Sequence, residues 1–236
     1  MSGGLDKSRV ESLVREALRG LVGTRPTGTQ AQAVPSGAPK LLVNVSARHA
    51  HVTPEDLERL FGPGHKLTPM KALYQDGFFA AEETVTMVGP RQRIIPGLRI
   101  LGPCRDHTQV ELAFTDAIMM GLDIPVRKSG DHRDSPGAYL IGPRGMIRME
   151  RGVIRHERHV HMGPADAAYF GVKDGDRMNL RVRGDCPAVL EGLLVRLSPT
   201  SKLEVHLDTD EGNAVNLENA TKVELIKAVP CACHKH

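Results

Sequence analysis

Two His-x-His pairs are the residues of this sequence best suited to chemistry. The first consists of His49 and His51, and the second of His159 and His161. Residues i and i+2 of a β-strand face the same side, so the two imidazoles of each pair can converge on one metal ion. One such pair alone would be weak support for a metal site, since many histidines are structural. The presence of two pairs favours metal binding.

Both pairs lie in an internal repeat. The segment RHAHVTPED (48–56), which continues to Phe61-Gly62, aligns with RHVHMGPAD (158–166), which continues to Phe170-Gly171. In each copy a Pro and then acidic residues follow the histidine pair, an order typical of a helix N-terminus. The repeat predicts two units of related structure about an approximate two-fold axis.

A third candidate ligand occurs at equivalent places in the two copies. The segments QVEL (109–112) and LEVHL (203–207) align, each shortly before a Thr-Asp, and the alignment matches Glu111 with His206. Three protein ligands with an open fourth position are typical of a catalytic zinc rather than a structural one. The two predicted ligand sets are His49, His51 and Glu111, and His159, His161 and His206.

Short strands must position these side chains. Alternating or apolar runs separated by Gly and Pro predict the strands, whereas only PEDLERLFG (54–62) and PADAAYFGV (164–172) clearly predict helices in the body. The sequence therefore predicts a mainly β body with short capping helices. The runs that predict strands are LLVNVSARHAHV, ETVTMVG, RIIPGLRILGP, TQVELAF, RMNLRVRG, AVLEGLLVRLS and KLEVHLD.

Composition divides the chain into successive segments. Apolar residues recur at three- and four-residue steps over 5–22 and predict an amphipathic helix, and a Pro/Gly-rich linker follows it. This helix must bury its apolar face, either on its own body or as a detachable docking peptide on another protein. The predicted segments are a helix within 1–23, a linker over 24–40, two halves of the body over 41–150 and 151–228, and a flexible tail over 229–236.

Basic residues lie between the two ligand sets, and Arg105 is the strongest candidate among them. It follows the Gly102-Pro103 turn and precedes Glu111 by six residues, so its side chain can point into a site. A fixed guanidinium beside an open metal position suits a tetrahedral oxyanion such as phosphate. The neighbouring Cys104 could serve as a nucleophile or ligand, although a buried inert thiol is the more common situation.

Composition excludes several classes of function. No run approaches the 18 apolar residues that a membrane span needs, and the N-terminus lacks the features of a secretory signal, which predicts a cytosolic protein. A formal charge of +3, no Trp, three Tyr and five Phe argue against nucleic-acid binding. The four cysteines are expected to be thiols.

Two other metal folds share parts of the pattern. His49, His51 and Glu55 fit the spacing of the first cupin motif, but Glu55 begins a predicted helix and the repeat has Ala165 in its place. Metal-dependent amidohydrolases also use His-x-His, yet they need about eight strand–helix units. Neither fold agrees with this sequence.

The longest matching segments resemble the phosphate propanoyltransferases of propanediol-utilising bacteria. The resemblance covers about residues 40–226 and rests on several motifs together. It implies two β-barrel domains with a two-zinc active site between them, and the reaction acyl-CoA + phosphate ⇌ acyl phosphate + CoA. The motifs that carry it are SARHAHVTPEDLERLFGPGHKLTPMKALYQDGFFAAEETVTMVGP, GPCRDHTQVELAFTDA, RHVHMGPADAAYFGV and EVHLDTDEGNA.

The resemblance also implies roles for individual residues. It places the two zinc ions on the two predicted ligand sets, and it matches Arg105 with the family's phosphate-binding arginine. Family members in bacterial microcompartments carry an N-terminal helix and linker that direct them to the shell, and residues 5–40 resemble that extension. Such a chain would lie inside a microcompartment of the bacterial cytoplasm, and its apolar helix would also favour self-association. Coenzyme A contacts are expected at Ser46, Lys71, Arg99 and Asn213.

The expected mechanism is direct attack of phosphate on the thioester, with Arg105 and one metal orienting the phosphate. Cys104 leaves a route through an acyl-enzyme open. A zinc-dependent hydrolase of acyl or phosphate esters is the alternative enzyme, because an open zinc activates water equally well. A non-catalytic metal-binding protein associated with the shell is the alternative outside enzymes.

Overall fold

The structure is a computed structural model that describes residues 37–228. The predicted helix within 1–23, the linker up to residue 36 and the tail over 229–236 lie outside the described residues. Among the described residues, no helix is long and apolar enough to cross a membrane.

The fold is mainly β, as predicted, and its strands form two curled sheets. The strands are β1 (Leu42–Ser46), β2 (His49–His51), β3 (Pro69–Ala72), β4 (Phe79–Val88), β5 (Ile94–Gly102), β6 (Gln109–Glu111), β7 (Val126–Arg127), β8 (Ala138–Ile141), β9 (Met146–Met149), β10 (Val153–His156), β11 (His159–Met162), β12 (Arg177–Arg183), β13 (Ala188–Leu197), β14 (Glu204–Asp208) and β15 (Lys222–Lys227). The helices are α1 (Pro54–Phe61), α2 (Phe114–Met120), α3 (Pro164–Phe170) and α4 (Thr209–Ala214), and a 3-10 turn spans Leu217–Asn219.

Strand order shows that the two halves of the chain exchange a strand. The nine-stranded sheet has the order β7-β10-β6-β2-β5-β4-β8-β9, with β3 paired to β4, and the six-stranded sheet has the order β1-β14-β11-β13-β12-β15. Strand β1 therefore runs parallel to β14, and β10 runs parallel to β6. Each half of the body thus contributes its first strand to the sheet that the other half builds.

Each sheet covers its own hydrophobic core, and the strand pattern explains why. In β12, Met178, Leu180 and Val182 are buried and alternate with polar residues, because successive side chains of a strand point to opposite faces. These three residues belong to the core of the six-stranded sheet. A second, larger cluster fills the nine-stranded sheet, with Ile100 and Leu140 among its fully buried members.

Both predicted helices are present and begin where the sequence indicates. Thr53 caps α1 by accepting a hydrogen bond from the backbone N–H of Asp56 at 3.1 Å, and Pro54 occupies its first turn. Helix α3 likewise begins with Pro164. Helices α2 and α4 were not predicted, because such short helices show little helical period and neither begins with the proline that marks the start of α1 and α3.

Candidate metal centre

The first predicted ligand set comes together on two adjacent strands. His49 on β2 lies directly opposite Glu111 on β6 in an antiparallel pair, so both side chains project from the same face. His49 Nε2 lies 3.4 Å from Glu111 Oε2, and the ring centroids of His49 and His51 are 4.9 Å apart. One potential ligand atom from each of the three buried side chains falls within 4.8 Å of the other two. We call this set triad 1.

The second predicted set has the same arrangement on β11 and β14. His159 lies directly opposite His206, and their rings stack at a centroid distance of 4.9 Å and an interplanar angle of 2°. The ring of His161 lies 5.1 Å from that of His206. The ligand atoms of these three histidines also lie within 4.8 Å of one another. We call this set triad 2.

Backbone carbonyls fix the orientation of three of the imidazoles. The Nδ1 atoms of His49, His51 and His159 lie 2.8, 3.2 and 2.7 Å from the carbonyl oxygens of Ala47, Leu101 and Glu157, respectively. A carbonyl can only accept a hydrogen bond, so Nδ1 carries the hydrogen and Nε2 keeps a lone pair. This pattern is typical of histidines that bind metal ions.

The carboxylate of Glu111 is also held on one side. Its Oε1 atom accepts hydrogen bonds from Ser129 Oγ at 2.7 Å and from Gln109 Nε2 at 2.5 Å, which leaves Oε2 facing His49. Burial raises the pKa of Glu111. The nearby imidazoles, chiefly that of His49, and the Ser129 hydrogen bond lower this pKa by more than burial raises it, so it lies well below its ordinary value. Glu111 is therefore ionised at neutral pH.

His49, His51, His159 and His161 stay neutral at neutral pH. Burial is the main cause, and it lowers the pKa of His51 and of His161 to about 3. The pKa values of His49 and His159 are lowered for the same reason. A metal ion needs neutral imidazoles and ionised carboxylates, so these four imidazoles and the carboxylate of Glu111 are in the protonation state that binds metal.

A buried nitrogen atom of His206 also indicates that triad 2 fits a metal ion. His206 Nδ1 lies 3.1 Å from Ser46 Oγ, whereas its Nε2 is buried and makes no hydrogen bond in the described part of the chain, although Glu204 Oε2 is 3.1 Å away. A buried nitrogen without a partner is costly, and a bound cation would satisfy it. The residues present therefore fit a metal in triad 2 as well as in triad 1.

Arg105 lies beside triad 1, as its position in the sequence suggests. Its guanidinium donates a hydrogen bond to Ser129 Oγ at 2.9 Å, and the same hydroxyl donates to Glu111. Burial lowers the pKa of Arg105, and the charge of Glu111 raises it. A single serine thus connects the candidate anion-binding residue to the candidate metal ligand.

The four residues expected to contact coenzyme A occupy different surroundings. Ser46 lies against His206 of triad 2. Arg99 lies directly opposite His49 in the parallel pair of β2 and β5, and its guanidinium donates to the carbonyls of Ala81 and Glu82. Lys71 on β3 and Asn213 on α4 are exposed. The structure brings Ser46 and Arg99 to the triads and leaves Lys71 and Asn213 at the surface.

Cys104 belongs to neither triad. It packs against the core of the nine-stranded sheet and lines a surface cavity with Pro103 and Phe79. Burial raises the pKa of its thiol, so little of the nucleophilic thiolate forms at neutral pH.

Two residues that the sequence did not point to lie between the triads. His156 is only 3% exposed, its ring centroid is 5.6 Å from that of His159, and its charge affects the pKa values of His49 and Glu111. Arg196 lies directly opposite His161 and affects the pKa of Arg105. His156 had no counterpart of the same type in the repeat, and only the pairing of β13 with β11 brings Arg196 to the site. Each of these two residues is close to members of triad 1 and of triad 2, so the two triads are neighbours.

Comparison with known proteins identifies the family. The sequence model of the phosphate propanoyltransferase family matches residues 42–218, which include both triads. The chain belongs to this family. It is 54% identical to a phosphate propanoyltransferase of Planctopirus limnophila over 236 residues, covering 99% of this chain and 97% of the relative. It is 47% identical to one from Thermotoga maritima over 190 residues, covering 80% and 90%.

Membership of this family makes the chain an acyltransferase. A phosphate propanoyltransferase of Lachnoclostridium phytofermentans is 41% identical over 213 residues, covering 90% of this chain and 96% of the relative. These matches span nearly whole chains, so the resemblance noted from the motifs extends well beyond the histidine pairs.

Proposed function

We propose that this protein transfers a short acyl group between coenzyme A and phosphate, in the reaction acyl-CoA + phosphate ⇌ acyl phosphate + CoA. Propanoyl-CoA and acetyl-CoA are the proposed substrates. The observation that carries the proposal is the pair of neighbouring donor triads with Arg105 hydrogen-bonded beside triad 1. The family name, which couples phosphate to a propanoyl group, supports it.

We propose that each triad holds one zinc ion. Three histidines, as in triad 2, and two histidines with one glutamate, as in triad 1, are both typical ligand sets of a catalytic zinc, and three ligands leave a position open for substrate. When bound, such ions polarise a carbonyl and stabilise oxygen or sulfur anions.

Arg105 then has the role of binding and orienting phosphate. A planar guanidinium can hold two oxygens of the phosphate at once, which fixes the direction of the attacking third oxygen. The Ser129 hydroxyl accepts from Arg105 and donates to Glu111, so it keeps the guanidinium at a fixed place beside triad 1. Positioning of this kind accelerates an acyl transfer because the attack no longer requires a chance encounter.

The remaining substrate contacts are assigned to coenzyme A. We propose that Ser46 and Arg99, beside the triads, contact the end of the molecule that carries the thioester. The exposed Lys71 and Asn213 would contact its outer, anionic part. Transfer proceeds directly from sulfur to phosphate oxygen without an acyl-enzyme, because the raised pKa of Cys104 disfavours a thiolate nucleophile.

The decisive experiment measures release of free CoA from propanoyl-CoA and acetyl-CoA, with and without phosphate, and identifies the acyl product. We expect phosphate-dependent CoA release, acyl phosphate as the product, loss of activity on chelation and recovery with zinc. Phosphate-independent release of free acid would instead indicate the hydrolase. Metal content without any turnover would indicate a binding protein.

Two variants test the assignment of roles. Cys104→Ala should retain most of the activity, whereas Arg105→Ala should raise the KM for phosphate by roughly ten- to a hundredfold, since hydrogen bonds between charged groups are lost. Loss of activity in Cys104→Ala with an unchanged phosphate KM in Arg105→Ala would favour an acyl-enzyme.

We also propose a domain organisation for the body and a role for the N-terminal segment. Residues 41–150 and 151–228 form two related β-barrel domains. Their corresponding pairs support this, because β2 and β6 join His49 to Glu111 as β11 and β14 join His159 to His206. Residues 5–22, outside the described residues, would dock on the shell of a microcompartment in the bacterial cytoplasm or favour self-association.

A further inference from the structure

Arg196 occupies a position beside triad 2 that the proposed mechanism leaves without a role. It lies on β13 directly opposite His161 in a parallel pair, so its side chain projects from the face that carries His161. Its neighbour Val195 points the other way, into the core of the six-stranded sheet. Arg196 itself is half-buried.

Within residues 37–228, the guanidinium of Arg196 forms neither an ion pair nor a side-chain hydrogen bond. Burial lowers the pKa of Arg196, and the nearby charges of Glu111 and Asp174 offset only part of this effect. Arg99 shows the contrast, since it lies opposite His49 and is tied to two backbone carbonyls. A half-buried guanidinium with five free donors is an unusual group to leave unsatisfied.

A second positive group lies close to it. Arg105 approaches the same region from triad 1, and the charge of Arg196 lowers its pKa. Two half-buried like charges repel one another, and both nearby carboxylates already accept hydrogen bonds, Glu111 from Ser129 and Gln109, and Asp174 from the backbone N–H of Leu197. A bound anion would relieve this repulsion and supply acceptors for both guanidinium groups.

We propose that Arg196 is the second guanidinium of the phosphate position, and that it binds oxygens of inorganic phosphate and of the acyl phosphate from the side opposite Arg105. This inference rests on the proposed function. A tetrahedral dianion has enough oxygens for two guanidinium groups while one oxygen faces the thioester.

Coenzyme A also carries phosphate groups, but its geometry argues against them here. They are separated from the sulfur by the whole pantetheine arm, whereas Arg196 lies next to the triads where the thioester must react. Arg196 should therefore affect binding of inorganic phosphate and leave binding of acyl-CoA unchanged.

The test compares Arg196→Gln and Arg196→Lys with a matched control, Arg183→Gln. Arg183 lies on β12 of the same sheet, where it is exposed and its side chain pairs, among residues 37–228, with Glu224 alone. Phosphate is varied at saturating propanoyl-CoA, and propanoyl-CoA at saturating phosphate. We expect Arg196→Gln to raise the KM for phosphate by roughly ten- to a hundredfold, with the KM for propanoyl-CoA within about twofold of wild type. Arg196→Lys should recover part of the loss, and Arg183→Gln should match the wild type.

A thermal shift with inorganic phosphate alone gives a second readout. Phosphate should raise the melting temperature of the zinc-loaded wild type and of Arg183→Gln, but much less that of Arg196→Gln. The melting curves also show whether each variant is folded. An unchanged phosphate KM and thermal shift in Arg196→Gln, or an increase confined to the KM for propanoyl-CoA, would overturn the inference. Absence of phosphate-dependent CoA release by the wild type would instead reject the proposed function, and the thermal shift would still test Arg196.

Discussion

Glu111 shows how few contacts orient a candidate metal ligand in this protein. Its position opposite His49 selects which oxygen can reach a metal, and the Ser129 and Gln109 hydrogen bonds occupy the other oxygen. The histidines follow the same principle, since a carbonyl on Nδ1 leaves Nε2 free to bind. At the scale of the residue, the hydrogen bonds behind each ligand are therefore as important as the ligand itself.

Replacing Ser129 should weaken zinc binding at triad 1 and leave zinc binding at triad 2 unchanged. In Ser129→Ala both Glu111 and Arg105 lose a hydrogen bond, so we expect the zinc affinity of triad 1 to fall by roughly ten- to a hundredfold. Triad 2 has its own supporting contacts and should bind as before. Chelator competition would measure both sites. Ser198→Ala is the control, because the Ser198 hydroxyl hydrogen-bonds to Thr200 and to no other residue in the described part of the chain. Equal affinities in the wild type and Ser129→Ala would contradict this role.

His156 gives a prediction about stability. Its Nε2 atom is buried without a hydrogen bond among the described residues, and its Nδ1 makes only a 3.3 Å contact with the carbonyl of Glu157. In EDTA, His156→Leu should raise the free energy of unfolding by about 1 kcal/mol, because an unsatisfied polar atom is removed. His65→Leu is the control and should lower it by about 1–3 kcal/mol, since His65 lies 2.9 Å from the buried Glu83. Urea denaturation measures both, and destabilisation by His156→Leu would contradict the first expectation.

At the scale of elements, the exchange of β1 and β10 determines how the triads meet. Strand β10 runs beside β6, which carries Glu111, and the next strand in sequence, β11, carries His159 and His161. The two sheets are also joined by charge, because Arg155 on β10 pairs with Asp208 on β14 and with Glu211 on α4. Both carboxylates are buried.

This ion-pair network gives a second stability prediction. Arg155→Met should lower the free energy of unfolding by about 3–5 kcal/mol, because the buried carboxylate of Asp208 loses its guanidinium partner and that of Glu211 loses one of two, the other being Arg158. Arg133→Met removes a solvent-screened pair with Asp131 and should change the free energy of unfolding far less than Arg155→Met does. Urea denaturation at pH 7.5 compares the two. A loss of similar size in both variants would show that the network does not hold the sheets together.

At the scale of the whole molecule, the buried imidazoles predict how stability depends on pH. Burial holds the pKa of His51 and of His161 at about 3, below the ordinary value of 6.5 that applies when the chain unfolds. Between these values the unfolded chain binds protons that the folded chain does not. The contribution of these imidazoles to the stability of the metal-free protein is therefore fully present above about pH 6.5. The free energy of unfolding should fall steadily as the pH drops from 6.5 toward 3.

Urea denaturation in EDTA at pH 7.5, 6 and 4.5 tests this expectation. A double variant, His51→Phe with His161→Phe, should show a smaller loss over the same range, because fewer imidazoles are titrated. The same pH dependence in the wild type and the double variant would assign the effect to other groups.

The amino-acid sequence by itself determined the candidate metal ligands and the mainly β structure that carries them. The i, i+2 spacing of each histidine pair is local, and a strand enforces it wherever the strand lies. The alternation of β12 and the proline after each His-x-His are equally local, so the main strands and helices α1 and α3 could be predicted. The repeat supplied Glu111 and His206, because duplicated segments keep equivalent residues at equivalent places.

Only the tertiary structure decided which distant segments became neighbours. No local pattern shows that β10 would join β6, that β13 would bring Arg196 beside His161, or that Ser129 would reach both Glu111 and Arg105. These contacts depend on strand order, and strand order follows from how both halves bury their apolar faces together. The chemistry of each side chain could therefore be predicted from the sequence, whereas its neighbours in space were decided by the packing of the two sheets.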